Sequence, residues 1–146
     1  MKVKRGWAHH LLLLYRYLKN SMPKIKSKIL LIEDDPDQVF IYQTKFNLEG
    51  FNFISAKNGQ EGLAAAQTKK PDLILLDMIM AQTNGLEVLQ NLKNDSKTKK
   101  IPVVLLSNLF KKDLVDKAKN IGALDFWSKT GVLPSELVDR VRKILK

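Results

Sequence analysis

The run Leu73-Ile74-Leu75-Leu76 is apolar without interruption and ends abruptly in a carboxylate, Asp77, before Met78. A helix face or a half-exposed strand would show polar residues at a fixed period, and none occur here. The pattern predicts a short strand covered on both faces, as in a parallel sheet packed between helices. Such sheets collect their ligands at the carboxyl ends of the strands. A second run, Ile29-Leu30-Leu31-Ile32, ends in Glu33-Asp34-Asp35. Two strands would therefore deliver acids to one edge.

At 146 residues the chain suits one domain with a full core and a short appendage. The absence of cysteine excludes disulfides and thiolate metal sites. Eight of the ten net positive charges fall in residues 1 to 28 (Lys2, Lys4, Arg5, Arg16, Lys19, Lys24, Lys26 and Lys28), a stretch with no acid. The remainder is close to neutral. A solvated flank is the common meaning of such a leader, and no specific nucleic-acid partner is expected from it.

Within the leader, Trp7, Leu11, Leu14, Tyr15 and Leu18 recur at helical spacing, with Arg16 and Lys19 off that face. This predicts a short amphipathic helix. Its apolar stretch is too short to span a bilayer, and Lys19-Asn20-Ser21 offers no small-residue cleavage pattern. Three readings stay open: an extension without a separate role, a docking or dimerising helix, and a membrane-surface anchor. Met22-Pro23 offers an alternative start. His9-His10 reads as surface, since no third ligand stands at metal-binding spacing.

From residue 28, apolar runs alternate with amphipathic segments. The first strand, about residues 28 to 33, leads into a helix with Asp35 as N-cap, Pro36 as first residue and Gln38 as the returning partner of a capping box, ended by Gly50. Phe51 to Ile54 is a weaker, more exposed strand, and Asn58-Gly59 opens a helix through Leu63 and Ala66 that Pro71 stops. After the Asp77 strand, Ala81 to Gly85 lead to a helix with Leu86, Leu89 and Leu92 on one face. Ile101 to Leu106 is the fourth strand, followed by Ser107-Asn108. Leu114, Ala118 and Ile121 mark a helix closed by Gly122. Leu124 to Trp127 is the fifth strand, before Ser128-Lys129. Leu137, Val141 and Ile144 form the stripe of the last helix. Five strands alternating with five helices predict one three-layer α/β domain over residues 28 to 146, preceded by a basic extension over 1 to 27.

The strand ends then deliver a set: Glu33 and Asp34, Asp77, Ser107 and Lys129. Three acids at one edge repel unless a hard cation sits among them, and oxygen ligands suit Mg²⁺. Lys129 and Ser107 could hold an anionic phosphoryl group beside Asp77. Singly, each has an ordinary explanation as a cap, a turn residue or a surface charge, and for Asp35 and Asp125 capping is the preferred one. The conjunction points to function.

On Ile29-Leu-Leu-Ile-Glu33-Asp34-Asp35-Pro36, Leu73-Ile-Leu-Leu-Asp77-Met78, Val103-Val-Leu-Leu-Ser107-Asn108 and Phe126-Trp-Ser-Lys129, the chain resembles the receiver domains of bacterial two-component response regulators, over residues 28 to 146. The resemblance implies a flavodoxin-like fold with strand order 2-1-3-4-5. It further implies that Asp77 is phosphorylated and that Mg²⁺ is held by Glu33, Asp34, Asp77 and the main-chain carbonyl of Ile79. Ser107 and Lys129 would contact phosphoryl oxygens, and Phe126 would be an aromatic switch coupled to Ser107. The implied protein is a cytoplasmic phosphoacceptor rather than a turnover enzyme. Its partners would be a sensor histidine kinase or histidine phosphotransfer protein and a downstream target, with a possible homodimer.

Two departures from the family pattern concern loops. Thr130 follows Lys129 where proline is usual, so a trans bond is expected, and Ala81 replaces a common proline. Ile79 and Leu109 occupy positions that influence phosphate loss in the family; neither can orient a water by hydrogen bonding, so slow self-dephosphorylation is expected. Lys111, Lys112, Lys117 and Lys119 make the fourth domain helix basic, which reads as a solvated face or a docking surface for an acidic partner. Among rival readings, a pseudo-receiver used only for binding would not need the retained acids, Ser107 and Lys129. A nucleotide or flavin binder would need a Gly-rich turn after the first strand. An aspartyl phosphatase would need a second acid near Asp77.

Overall fold

A computed structural model describes residues 6–21 and 26–146. Residues 1–5 and 22–25 lie outside the described residues, among them Lys2, Lys4, Arg5, Lys24 and the Met22-Pro23 start. In chain order the elements are α1 (Gly6–Ser21), β1 (Lys28–Ile32), α2 (Pro36–Leu48), β2 (Asn52–Ala56), α3 (Gly59–Lys69), β3 (Leu73–Asp77), α4 (Gly85–Asn94), β4 (Val103–Ser107), α5 (Lys112–Ile121), β5 (Asp125–Ser128) and α6 (Pro134–Ile144).

The strands form one sheet in the order β2-β1-β3-β4-β5, and every pair is parallel. The uninterrupted apolar runs produce this arrangement because alternate side chains enter opposite faces. Leu30, Ile32, Ile74, Leu76, Val103, Leu105 and Phe126 pack with residues of α3, α4 and α5. Ile29, Leu31, Leu73, Leu75, Val104, Leu106 and Trp127 pack with Tyr42 and Phe46 of α2 and Leu137, Val138 and Val141 of α6. β3 and β4 are buried at every position, as expected for central strands with both faces covered. β2, at the sheet edge, is the most exposed strand.

Local signals set the element ends. The Asp35 carboxylate accepts from the Asp37 N–H at 2.9 Å, and the Asn58 amide oxygen accepts from the Glu61 N–H at 2.8 Å, so each satisfies an otherwise unpaired helix-start donor. The expected capping box does not close. Glu33, not Gln38, accepts from the Asp35 N–H, at 3.2 Å, because the buried carboxylate before the helix already faces that group. The second, fourth and fifth strands begin one to two residues later than their apolar runs suggest. Asp125 sits at the start of β5 rather than capping a helix, and it accepts from the Trp127 indole N–H at 2.9 Å.

α1 extends over the leader as a helix, and each of residues 6–20 is exposed. None of its apolar side chains joins either core cluster. Among the described residues, no helix is long and apolar enough to cross a membrane.

Candidate functional site

Parallel pairing brings the carboxyl ends of β1, β3, β4 and β5 to one rim, and hydrogen bonds continue the ladder just beyond the strands. The Glu33 N–H donates to the Ala56 carbonyl at 2.9 Å, the Met78 N–H to Leu106 at 2.8 Å and the Lys129 N–H to Ser107 at 2.9 Å. The side chains that follow each strand are therefore held by backbone geometry rather than by flexible loops. One carboxylate oxygen each from Glu33, Asp34 and Asp77 lie within 4.8 Å of one another. Glu33 is 2% exposed and Asp77 4%, while Asp34 is partly exposed and accepts from the Ala81 N–H at 2.7 Å.

Lys129 enters this acid cluster from β5. Its ammonium lies 2.6 Å from Glu33 Oε2 and 3.1 Å from Asp77 Oδ1. One cation thus serves two buried carboxylates, with a third beside them. Burial pushes the Glu33 carboxyl up from 4.5 to about 7; the Lys129 hydrogen bond lowers it, and the Asp77 charge raises it further. Burial alone would lower the Lys129 amine, but its hydrogen bond to Glu33 and the charges of Asp77 and Glu33 outweigh this and hold it above its ordinary value. Lys129 therefore stays charged, and the rim retains an excess of negative charge.

That excess tests whether a metal belongs here. The donors are carboxyl oxygens, with no histidine or cysteine in the group, and one ammonium does not neutralise the three acids even where Glu33 keeps part of its proton near pH 7. The set fits a hard divalent cation such as Mg²⁺ rather than a soft metal. Glu33, Asp34 and Asp77 are the side chains that could hold it. Ile79, whose main-chain carbonyl completes the expected ligand set, follows Asp77 by two residues; its N–H lies 3.5 Å from Asp77 Oδ1, too long for a strong bond.

Ser107 ends β4 one residue beyond the Asp77–Leu106 pair, is buried, and accepts from the Leu109 N–H at 3.0 Å. Phe126, paired with Leu105, is 4% exposed and meets Phe110 edge-to-face, with centroids 5.8 Å apart. The Lys129–Thr130 peptide is trans. Ile79 is 60% exposed and Leu109 is also exposed.

Two contributors escaped the sequence reading. Phe110 carries no local motif, and its role exists only through Phe126. Gly85 closes the loop expected before a helix, yet a Cβ there would lie 2.7 Å from the Asp77 carbonyl oxygen and from Met78 Cα, and 2.8 Å from the Met78 carbonyl oxygen. Only glycine lets α4 begin against the end of β3, where the Gly85 N–H donates to Met78 at 2.9 Å. A glycine opening a helix soon after a strand was the available signal.

The family model described as the response regulator receiver domain matches residues 29–142. PilH of Pseudomonas aeruginosa is 31% identical over 105 residues, covering 70% of this chain and 85% of PilH. The phosphate regulon transcriptional regulatory protein PhoB of the same organism is 31% identical over 118 residues, or 81% of this chain and 51% of PhoB. The chain thus spans about half the length of that longer relative. Among solved structures, the Vibrio cholerae chemotaxis protein CheY4 superposes with a TM-score of 0.77, at 22% identity, over 82% of this chain and 99% of that chain. The BeF3-activated N-terminal receiver domain of Klebsiella pneumoniae RstA gives a TM-score of 0.74, at 26% identity, over 82% of this chain and 99% of that one. With the acid cluster, the strand order and a family match over most of the chain, the protein belongs to the response regulator receiver domain family.

Proposed function

We propose that this protein is a phosphoacceptor switch in which residues 28 to 146 form the receiver and Asp77 takes a phosphoryl group from the phosphohistidine of a sensor kinase or phosphotransfer protein. The observation that carries the reading is the meeting of buried Asp77 with Glu33, Asp34 and Lys129 at the carboxyl edge of the sheet. In the transfer, an Asp77 oxygen forms a bond to phosphorus as the phosphorus–nitrogen bond of the donor breaks, and the imidazole leaves. Mg²⁺ held by Glu33, Asp34, Asp77 and the Ile79 carbonyl would offset charge on the transferring group.

This chain's own residues do the rest. Lys129, already on the Asp77 carboxylate, supplies a fixed positive charge to the phosphoryl oxygens. The Ser107 hydroxyl can donate to one of them while its oxygen keeps the Leu109 N–H. Movement of Ser107 toward the phosphoryl group would change the packing around Phe126, and so bias the surface formed by β5 and its neighbouring helices. A downstream protein reads that surface in the cytoplasm. The reading as a binding module without phosphorylation has no observation in its favour.

The test is intact-mass measurement after incubation with a small acyl phosphate, with and without Mg²⁺. The expected result is a gain of one phosphoryl group that needs Mg²⁺ and is lost in Asp77→Asn. No gain under either condition would refute the reading.

A further inference from the structure

We propose that α1 is an interfacial anchor that lies along an anionic phospholipid surface and holds the receiver there. The helix has 16 residues, or about 24 Å of length, and residues 6–20 are exposed throughout. At 3.6 residues per turn, Trp7, Leu11, Leu14 and Tyr15 share one face, Arg16 lies opposite, and Lys19 stands at the border. Its ammonium is 6.0 Å from the Tyr15 ring centroid. Tyr17 stands at the other border, while Leu12 and Leu13, also exposed, fall on either side of Arg16.

Charge identifies the occupant of this face. Residues 1 to 28 hold eight Lys and Arg and no acid, so two copies of α1 packed together would bring like charges side by side. An anionic bilayer satisfies both halves of the helix at once. Its acyl boundary takes Leu11 and Leu14, its interface suits Trp7, Tyr15 and Tyr17, and its negative surface potential attracts Lys19 at the border and, at longer range, Arg16 and the flanking lysines. At 16 residues the described helix is too short to cross, and the proposal places it in the plane of the surface. None of its apolar side chains joins the receiver core, so anchoring leaves the Asp77 rim intact.

The experiment is co-sedimentation of the full chain with vesicles of phosphatidylcholine alone or mixed with phosphatidylglycerol, at low and high salt, with tryptophan emission read in parallel. Trp7 is 53% exposed and Trp127 8%, so a blue shift on binding reports Trp7 and must vanish in Trp7→Phe. Binding to the anionic vesicles is expected to be at least about tenfold tighter than to the neutral ones and to weaken with salt. Arg16→Ala with Lys19→Ala should weaken it about tenfold. Leu11→Glu with Leu14→Glu should abolish it without changing the receiver's urea midpoint. Equal binding to both vesicle types, or no binding, would overturn the proposal. So would an α1-dependent dimer by analytical ultracentrifugation that shows no affinity for vesicles.

Discussion

Gly85→Ala sets two opposed effects against each other at the base of the site. Alanine is the better helix former by about 0.8–1.0 kcal/mol in a helix interior, so on propensity alone the change at the start of α4 should stabilise the protein. The neighbours of the added Cβ decide otherwise. It would meet the Asp77 carbonyl oxygen and Met78 Cα at 2.7 Å and the Met78 carbonyl oxygen at 2.8 Å, where ordinary contact begins near 3.4 Å. All three are backbone atoms, which cannot rotate away as a side-chain tip can. Relief requires α4 to slide from the end of β3, stretching the 2.9 Å Gly85–Met78 hydrogen bond, or the Asp77–Met78 peptide to shift. Overpacking of this kind costs about 1–3 kcal/mol. The net expectation is a loss of up to about 2 kcal/mol, read as a lower urea midpoint at unchanged slope. Phosphoryl uptake from an acyl phosphate should slow as well, since the displaced peptide carries Asp77. Gly6→Ala, with nothing within 4 Å of its Cβ, serves as the control and should lose nothing. A Gly85→Ala protein as stable as the wild type, with uptake unchanged, would refute the close-approach argument.

The raised Glu33 carboxyl predicts a pH dependence. Between its ordinary value of 4.5 and about 7, the unfolded chain releases this proton while the folded chain keeps it. The metal-free protein should therefore lose stability as pH rises through that window, by at most about 3 kcal/mol. Glu33→Gln should remove that component of the profile, and identical urea profiles for the two proteins in chelator would contradict it. Ile79→Asn with Leu109→Glu should shorten the lifetime of the acyl phosphate, by supplying groups that can position water at two exposed sites, one two residues past Asp77 and one two residues past Ser107; an unchanged or slower loss of phosphate would count against the idea. Phe110→Ala and Phe126→Leu, measured singly and together, should show a coupling of about 0.5–1.5 kcal/mol from the edge-to-face pair, whereas additive effects would show that Phe110 does not steady the Phe126 ring.

Features written within a few consecutive residues were legible before the fold was known. The unbroken apolar runs of β1, β3 and β4 marked buried parallel strands because no period survives when both faces are covered. Asp35 and Asn58 marked helix starts because capping is local. The acids after β1 and β3 could be placed at one rim once the strands were taken as parallel. What stayed hidden depends on segments far apart in the chain. Lys129 was expected toward a phosphoryl group, and the structure first pairs it with Glu33, 96 positions away. Glu33 displaced Gln38 from the capping box because burial brought its carboxylate to the Asp35 N–H. Phe110 and Gly85 matter through what they touch, and spacing alone records neither contact.

The central claim is that Asp77 itself carries the phosphoryl group. Borohydride reduces an acyl phosphate to the alcohol, so treating the protein after incubation with acyl phosphate and Mg²⁺ and then mapping its peptides would locate the modified carboxyl group directly. The account predicts homoserine at position 77, within the peptide that carries Leu73 to Met78, and no reduced side chain at Glu33 or Asp34. Reduction at another carboxylate, or none in a protein that had gained phosphoryl mass, would contradict it.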